Sequence, residues 1–445
     1  MTEYPAKKGR QLSFDGGTKI SSQSIMPDRL RFWNSHTKFN PRLIPQGSGL
    51  SYAAASFGSN TTSISHLNFN RILNFDPIQN IIEVEAGLTL FDLFIFLESK
   101  NLYLPVQPGF SALTIGGCVA ANVHGKNQHR DGTFINQIES IALFHPSHGI
   151  IHLSKKENFE LFNLTCGGYG LTGNILNVSL RAVPIPSNTI LLDHSEFTFS
   201  DPHFEECFSN QNSDFSYSWH DLSRPKDNFG DGIIFKASFI DSNSYQALPN
   251  KKQFQNHSFK NHLPFSIWNK FSVKTANWLY YTAHKLKTSP TELSLFESLF
   301  PLEKKLFYFK FFGKNGFHEY QAIIPTRNIK EFFASIKFFL KHTYIPVTLG
   351  SCKFFSGSDY FLRFTGDGIC IALNFPRSNK SLSFCQHLDS EIIRLDGKPN
   401  IIKDSRLPKF IIEKTYPEVD MFRAALRDFD PKRIYRSELS ERLKL

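Results

Sequence analysis

Apolar and polar positions alternate in short blocks along most of this chain, and long runs of either kind are absent. Ile81-Ile82-Glu83-Val84-Glu85-Ala86-Gly87 sets apolar against acidic residues, which predicts a half-buried strand ending on a glycine. Thr89 with Asp92 three positions on has the form of a helix cap. Leu90, Phe91, Phe94 and Leu97 then share one face of a helix predicted over 90–99. Residues 158–164 read as helical and 174–183 as a strand, after which Pro184-Ile185-Pro186 breaks the chain and marks a domain boundary. Residues 1–40 are polar and weakly patterned and are expected to lie over the surface of the first domain. Aromatic strands and Asn/Ser/Asp-rich turns alternate over 187–250, and 251–318 is basic and aromatic together. Ile329, Phe332, Phe333, Ile336, Phe339 and Leu340 form the inward stripe of a helix predicted over 327–340. Strands are expected near 351–356 and 368–375. One more helix is expected around 419–427, ended by Asp430-Pro431.

Composition narrows the class. A chain of 445 residues implies two or three domains, and 41% apolar with 20% charged residues excludes wholesale disorder. Aromatics reach 14%, with 46 phenylalanines, most of which serve as core. No apolar run approaches the roughly 18 residues of a membrane-spanning helix, which rules out an integral membrane protein. The polar N-terminus lacks a Sec-type signal pattern. Cys118, Cys166, Cys207, Cys352, Cys370 and Cys385 are scattered without CxxC or zinc-like spacing. Reduced thiols, no metal site and a cytoplasmic location are therefore expected. A net charge of +10 favours anionic partners. Half of it comes from residues 268–314, with eight lysines against three glutamates. That stretch reads either as a flap meeting a membrane surface or as covering helices with solvated lysines. A nucleic-acid interface has no recognition fold to support it.

Three glycine-bearing loops carry the candidate chemistry. In Pro45-Gln46-Gly47-Ser48-Gly49-Leu50-Ser51-Tyr52, two glycines and two serines suit either a nest for phosphate oxygens or an ordinary tight turn. The stretch from Pro108-Gly109 through Thr114-Ile115-Gly116-Gly117-Cys118 to Ala121-Asn122-Val123-His124-Gly125-Lys126 reads as a tightly packed helix start facing an anion. Asn122, His124 and Lys126 bring polar and charged groups to the same place. Gly168, Gly170 and Gly173 spell GxGxxG, but a helix precedes them and a strand follows. The order is wrong for a dinucleotide-binding turn, and a classical NAD site is rejected.

In this order and spacing the three loops resemble the vanillyl-alcohol-oxidase/PCMH-type FAD-binding family. Within it, His124-Gly125-Lys126-Asn127 resembles the branch acting on polyprenylphosphoryl pentoses. That likeness continues through Gly170-Leu171-Thr172-Gly173, Ser218-Trp219, Glu319-Tyr320-Gln321, Cys370, Lys403-Asp404-Ser405-Arg406 and the closing Ser440-Glu441-Arg442-Leu443.

The resemblance implies an α+β fold in two domains: a PCMH-type FAD-binding domain over 1–186 and an inserted substrate domain over 187–397, with antiparallel sheet and covering helices. Residues 398–445 would return to the first domain. It implies FAD contacts from Gln46, Gly47, Ser48, Gly49, Leu50, Ser51 and Tyr52, from Gly109, Thr114, Ile115, Gly116 and Gly117, and from Ala121, Asn122, Val123, His124 and Ile175. Relatives that tether the flavin do so through a histidine in the first loop; Leu50-Ser51 stands there, so non-covalent FAD is expected. The implied substrate pocket holds Trp219, Gln321, Lys353, Phe355 and Cys370, with Lys403, His124 and Lys126 as the catalytic set. Where the family has a tyrosine and an asparagine in this pocket, the chain has Asn400 and Gly368.

The implied activity is oxidation of the 2-hydroxyl of a polyprenylphosphoryl-β-D-ribose to the 2-keto sugar. That is the first half of an epimerisation to arabinose in cell-envelope biosynthesis, completed by an NAD(P)H-dependent short-chain reductase. A peripheral position at the inner membrane surface goes with it. An aldonolactone or sugar-alcohol oxidase of the same fold is the alternative, although no His-Trp-x-Lys motif stands near the C-terminus. The residue types fit oxidation of a secondary alcohol. A lysine in a dry electropositive pocket either serves as base or stays charged and orients the alkoxide; Lys403 is the candidate, with a surface pair to Asp404 as the bland alternative. Lys126 and Lys353 would suit an anionic phosphodiester.

Overall fold

The computed structural model describes residues 5–28, 31–34, 42–202, 204–209, 213–226, 228–241, 263–358 and 360–445. Parts of the N-terminal stretch (1–4, 29–30, 35–41) and residues 242–262, where aromatic strands, turns and basic character were expected, lie outside the described residues.

The polar N-terminus forms a hairpin of Lys7–Leu12 with Lys19–Ile25. Its second strand pairs in parallel with Thr62–Ser65, which in turn pairs in parallel with Leu43–Gln46. The hairpin strands are mostly exposed, so little apolar periodicity marks them in the sequence. A five-stranded antiparallel sheet follows in the order Ile72–Asp76, Ile81–Glu85, Asn174–Arg181, Ile138–His145 and Gly149–Ser154. The helix Leu90–Glu98 covers it with Leu90, Phe91, Phe94 and Leu97 buried; Thr89 caps it by accepting from the Asp92 N–H. The strand expected over 174–183 stops at Arg181. Val183–Pro184 instead pairs with Leu102–Tyr103.

Beyond Pro186 an eight-stranded antiparallel sheet is built in the order Thr291–Ser294, Thr189–Thr198, Asp231–Phe239, Phe215–His220, Leu349–Phe355, Gly368–Pro376, Phe317–Ile324, Lys398–Pro399. One face carries Tyr320, Ala322, Cys352, Ile371 and Leu373 into the largest core. The helices Ile329–His342 and Asn379–Arg394 pack there. Ile329, Phe332, Phe333, Ile336 and Leu340 are buried as the stripe predicts, and Phe339 is half-buried. By strand alternation Glu319, Gln321, Leu349, Ser351, Lys353, Cys370, Ala372 and Asn374 point the other way, toward the glycine loops.

The tail holds three helices rather than one, Lys409–Thr415, Val419–Phe429 and Glu438–Leu443. The two outer ones span too few turns to show a period. The mix of helices and antiparallel sheets is α+β, as expected.

Candidate active site

Between the glycine loops and the second face of the eight-stranded sheet lies a cavity of about 440 Å³. The first loop leaves the end of the Leu43–Gln46 strand. Gly49 turns it at φ +69°, and the Ser48 hydroxyl donates to the Ala112 carbonyl at 2.6 Å, tying it to the second loop. A Cβ on Gly47 would stand 2.1 Å from Thr114 Oγ1, so only glycine lets the two loops meet. Among the described residues, no protein acceptor takes the backbone N–H of Gly47, Ser48, Gly49 or Leu50. Four amides left this way on the wall of a cavity are what an anionic cofactor requires.

The second loop runs into the helix Ile115–Ala121, whose cap Thr114 accepts from the Gly117 N–H. Gly116 packs against Ala86, where a Cβ would meet the Ala86 Cβ at 2.9 Å. Asn122 then takes φ +43°. Its side chain donates to Thr133 Oγ1 and accepts from the Ile135 N–H, turning the chain so that His124 and Lys126 enter the cavity. The third loop supplies Tyr169, Gly170 and Gly173; the helix Phe159–Thr165 lies before it and the strand Asn174–Arg181 after it, the order that excluded a classical NAD turn.

Of the sixteen other residues expected at the cofactor besides His124, all but Ile115 line this cavity. Ile115 is wholly buried and packs into the core beneath the loop; it is the first helical residue and its side chain faces the sheet. Among the substrate residues, Gln321 and Lys353 reach the cavity, together with Lys403, His124 and Lys126. Trp219, Phe355 and Cys370 do not form its wall. Trp219 stands on the right sheet face, opposite Ser351, but Tyr280 of the helix Lys270–Lys285 lies on its ring at 4.7 Å. Phe355 and Cys370 are sealed with Ile323 beneath Phe364, which is itself a wall residue. The His124 ring meets Phe355 edge-on at 4.7 Å.

The electrostatics are asymmetric. Lys126, Lys353 and Lys403 bring three ammonium groups, and among the described lining residues Glu319 is the sole carboxylate. Burial, reinforced by the nearby Lys353, pulls His124 down to about 3, so its ring is neutral and its Nδ1–H donates to the Gly125 carbonyl. Burial also lowers Lys126 to about 7, with Lys353 and Lys305 adding to it; its ammonium donates to the Ser298 carbonyl and lies 5.0 Å from the Tyr217 ring. Lys353 is lowered by burial first and by Lys403 as well.

Lys403 does not pair with Asp404. Its Nζ lies 3.0 Å from Glu319 Oε1 and 4.1 Å from the centre of the Tyr52 ring, while Asp404 pairs with Arg406 at 2.9 Å. Tyr52 is stacked on Phe14 at 4.7 Å, and burial holds its hydroxyl well above its ordinary range. Asn400 caps the turn Ile401–Lys403 by accepting from the Ile402 N–H, and its amide donates to Gln321 Oε1 at 2.6 Å. One asparagine thus positions two site residues. Gly368 opens its strand at φ +153°, where a Cβ would stand 2.3 Å from the Ile324 carbonyl oxygen. An asparagine does not fit there on this backbone.

Glu319, Tyr308, Asn374 and the strap residues Pro301 and Leu302 also line the cavity. Sequence reasoning did not assign them to the site. For Glu319 the signal was present in strand alternation, because it lies two positions from the assigned Gln321; Asn374 lies opposite Glu319 in a register only the folded sheet reveals. For the strap there was none.

Among the described residues, no group of His, Cys, Asp and Glu could hold a metal ion, and no helix is long and apolar enough to cross a membrane. Residues 29–154 match the FAD binding domain family. The chain is 26% identical to decaprenylphosphoryl-beta-D-ribose oxidase of Mycolicibacterium smegmatis, over 91% of this chain and 89% of that protein. It is 20% identical to L-gulonolactone oxidase 3 of Arabidopsis thaliana over 88% of this chain and 75% of that protein. It is also 29% identical to D-lactate dehydrogenase of Anaerostipes hadrus, but over only 32% of this chain and 31% of that protein. The free amides of the first loop and the close-packed glycines on the cavity wall suit a bound dinucleotide. Residues 29–154 thus form an FAD binding domain, and the protein is an FAD-dependent oxidoreductase.

Proposed function

We propose that the protein oxidises the 2-hydroxyl of a polyprenylphosphoryl-β-D-ribose to the 2-keto sugar. Bound FAD supplies the two-electron acceptor for such a step. The single observation that carries the reading is the shared wall. The loops matched to an FAD domain, the Gln321 and Lys353 side chains of the eight-stranded sheet and Lys403 of the turn Ile401–Lys403 face one cavity. Similarity to the M. smegmatis oxidase over nearly the whole chain favours the same reading.

In this assignment Gly47 to Leu50 and Thr114 to Gly117 hold the cofactor's pyrophosphate. Lys126 and Lys353 bind the substrate phosphodiester, each as a charge-assisted donor. His124, neutral, presents its ring beside Phe355 and Phe364 and shapes the sugar site. Gln321, fixed by Asn400, donates to a sugar hydroxyl, and Lys403 holds the reacting oxygen. Residues 1–186 would form the cofactor domain, 187–397 the substrate domain and 398–445 the returning segment. A short-chain NAD(P)H-dependent reductase would consume the keto sugar.

We also assign a peripheral membrane contact to the helix Lys270–Lys285. It exposes Phe271 at 79%, Trp278 at 50% and Leu279 at 55%, and Leu286 beyond its end at 74%. It carries Lys270, Lys274 and Lys285 with no acidic residue, a pairing of apolar and basic groups suited to an anionic lipid surface.

An anaerobic absorbance titration tests the reading. Bleaching of the oxidised flavin band by a short-chain prenylphosphoryl ribose, and not by an aldonolactone, is the expected result. Bleaching by the lactone alone would move the protein to the aldonolactone oxidases.

A further inference from the structure

A secondary alcohol loses its O–H proton as well as its C–H hydrogen, and the cavity has few groups able to take that proton. Lys403 is ill suited to it. Its Nζ is engaged in an ion pair with the carboxylate 3.0 Å away and a cation–π contact with the Tyr52 ring at 4.1 Å, and an ammonium has no lone pair to offer. His124 is a weak base in its buried position. Glu319 projects from the Phe317–Ile324 strand on the same side as Gln321, and its side chain is only 10% exposed.

Resting on the sugar-oxidase reading above, we propose that Glu319 is the proton acceptor of the reaction and that Lys403 stays charged throughout. The substrate O–H bond breaks toward a Glu319 carboxylate oxygen. Its electron pair forms the new C=O bond, and the C–H hydrogen leaves with its bonding pair, for which FAD held by the glycine loops would be the two-electron acceptor. The alcohol is oxidised by two electrons, FAD is reduced by two, and one proton remains on Glu319 for later release to solvent. As the carboxylate neutralises, the Lys403 ammonium loses its ion-pair partner and turns its field on the substrate oxygen, where negative charge develops. Glu319 is thus the group that couples the two halves of the site.

The groups facing Glu319 come from every element around it: Lys403 from the 401–403 turn, Tyr52 from the first loop, Tyr308 from the segment above, and Lys353 and Cys370 from the adjoining strands. A pH profile must therefore be read against variants of its ionisable partners.

The test is the anaerobic rate of flavin bleaching at saturating prenylphosphoryl ribose, followed by stopped flow from pH 5 to 9. Glu319→Gln should bleach at least ~100-fold more slowly than wild type, the usual scale for loss of a general base. Its flavin content and substrate affinity should stay near wild type. Lys403→Met should be slowed less than Glu319→Gln. Glu319→Asp should recover part of the rate, and added formate should accelerate Glu319→Ala, which a residue that merely positions Lys403 would not permit. Wild-type bleaching matched within threefold by Glu319→Gln, or formate without effect on Glu319→Ala, would overturn the assignment while leaving the substrate reading intact. A wild-type protein that the prenylphosphoryl ribose does not bleach would overturn the substrate reading, and the assignment with it.

Discussion

Lys126 stands where charge and burial conflict. Its ordinary ammonium would be charged throughout the neutral range, yet burial brings it down to about 7, with Lys353 and Lys305 on the same side of the balance. Below that value it is a cation and above it a neutral amine, whereas a phosphodiester carries its negative charge at every pH of interest. Affinity for a prenylphosphoryl sugar should therefore fall as pH rises from 6 to 8. A charge-assisted hydrogen bond contributes about 1.5–3 kcal/mol, and the charged fraction of a group titrating at about 7 drops about tenfold over this range, so the fall should approach roughly tenfold. Titration of flavin fluorescence with substrate at several pH values reads it directly, and Lys126→Met should give a weak, nearly flat profile. A wild-type profile as flat as the variant's would place the phosphate elsewhere, with Lys353 the next candidate. Lys403 shows how far single residues could be read. Its presence in the site was legible from the chain, but its partner was not. Glu319 lies 84 positions away on a strand whose register only the folded sheet reveals, and the adjacent Asp404 was the nearer guess.

At the level of elements, legibility followed the strength of the periodic signal. The helix Ile329–His342 and the capped helix Leu90–Glu98 were plain because phenylalanines, leucines and isoleucines repeat on one side. The helix Asn379–Arg394 was missed. Its buried stripe is Ser381, Phe384, Cys385, Leu388, Asp389 and Ile392, correct in spacing but interrupted by the polar Ser381 and Asp389. Asp389 is acceptable there because Arg406 reaches it with two nitrogens, at 2.6 and 2.9 Å, a pairing no local window contains. The glycine loops were legible for the opposite reason, since their chemistry is local and a glycine needed for close approach stays a glycine. Trp219 was expected in the substrate pocket; it stands on the sheet face that carries the site but is covered there by Tyr280. The same helix, Lys270–Lys285, carries the membrane prediction. Replacing Phe271 and Trp278 by serine removes apolar surface from its outer face only, because both side chains are at least half exposed. Binding to vesicles rich in anionic lipid should drop several-fold in a sedimentation assay, with turnover of a short-chain substrate unchanged. Equal binding by the double variant and wild type would leave this helix as a covering element with solvated lysines.

Over the whole molecule the C-terminal segment returns to the strand that leads into the first glycine loop. The tail adds itself beside Leu43, whose N–H donates to the Ile434 carbonyl and whose carbonyl accepts from the Arg436 N–H. Leu43 begins the strand that delivers the first glycine loop, so the last residues brace the segment assigned to the cofactor. A buried polar chain runs inward from the same place. The wholly buried Tyr435 accepts at its hydroxyl from the Asn174 amide at 2.5 Å, and Asn174 Oδ1 lies 3.0 Å from Nε2 of His66, which lines the cavity. Burial lowers His66, so its ring is neutral and its Nε2–H is the donor in that contact. Tyr435→Phe keeps the ring and removes only the acceptor, leaving the Asn174 amide unpaired in a dry core at a cost of about 1–3 kcal/mol. Two consequences should appear together: a lower unfolding temperature of the holoprotein, and weaker FAD retention on dilution, measured by the rise in free-flavin fluorescence. The pH dependence of bleaching should not move, since no group facing the substrate has changed. Loss of stability without loss of FAD would mean that the tail closes the fold but does not support the cofactor loop. A variant equal to wild type on both counts would show that the 43–46 strand holds its place without the Asn174–Tyr435 link.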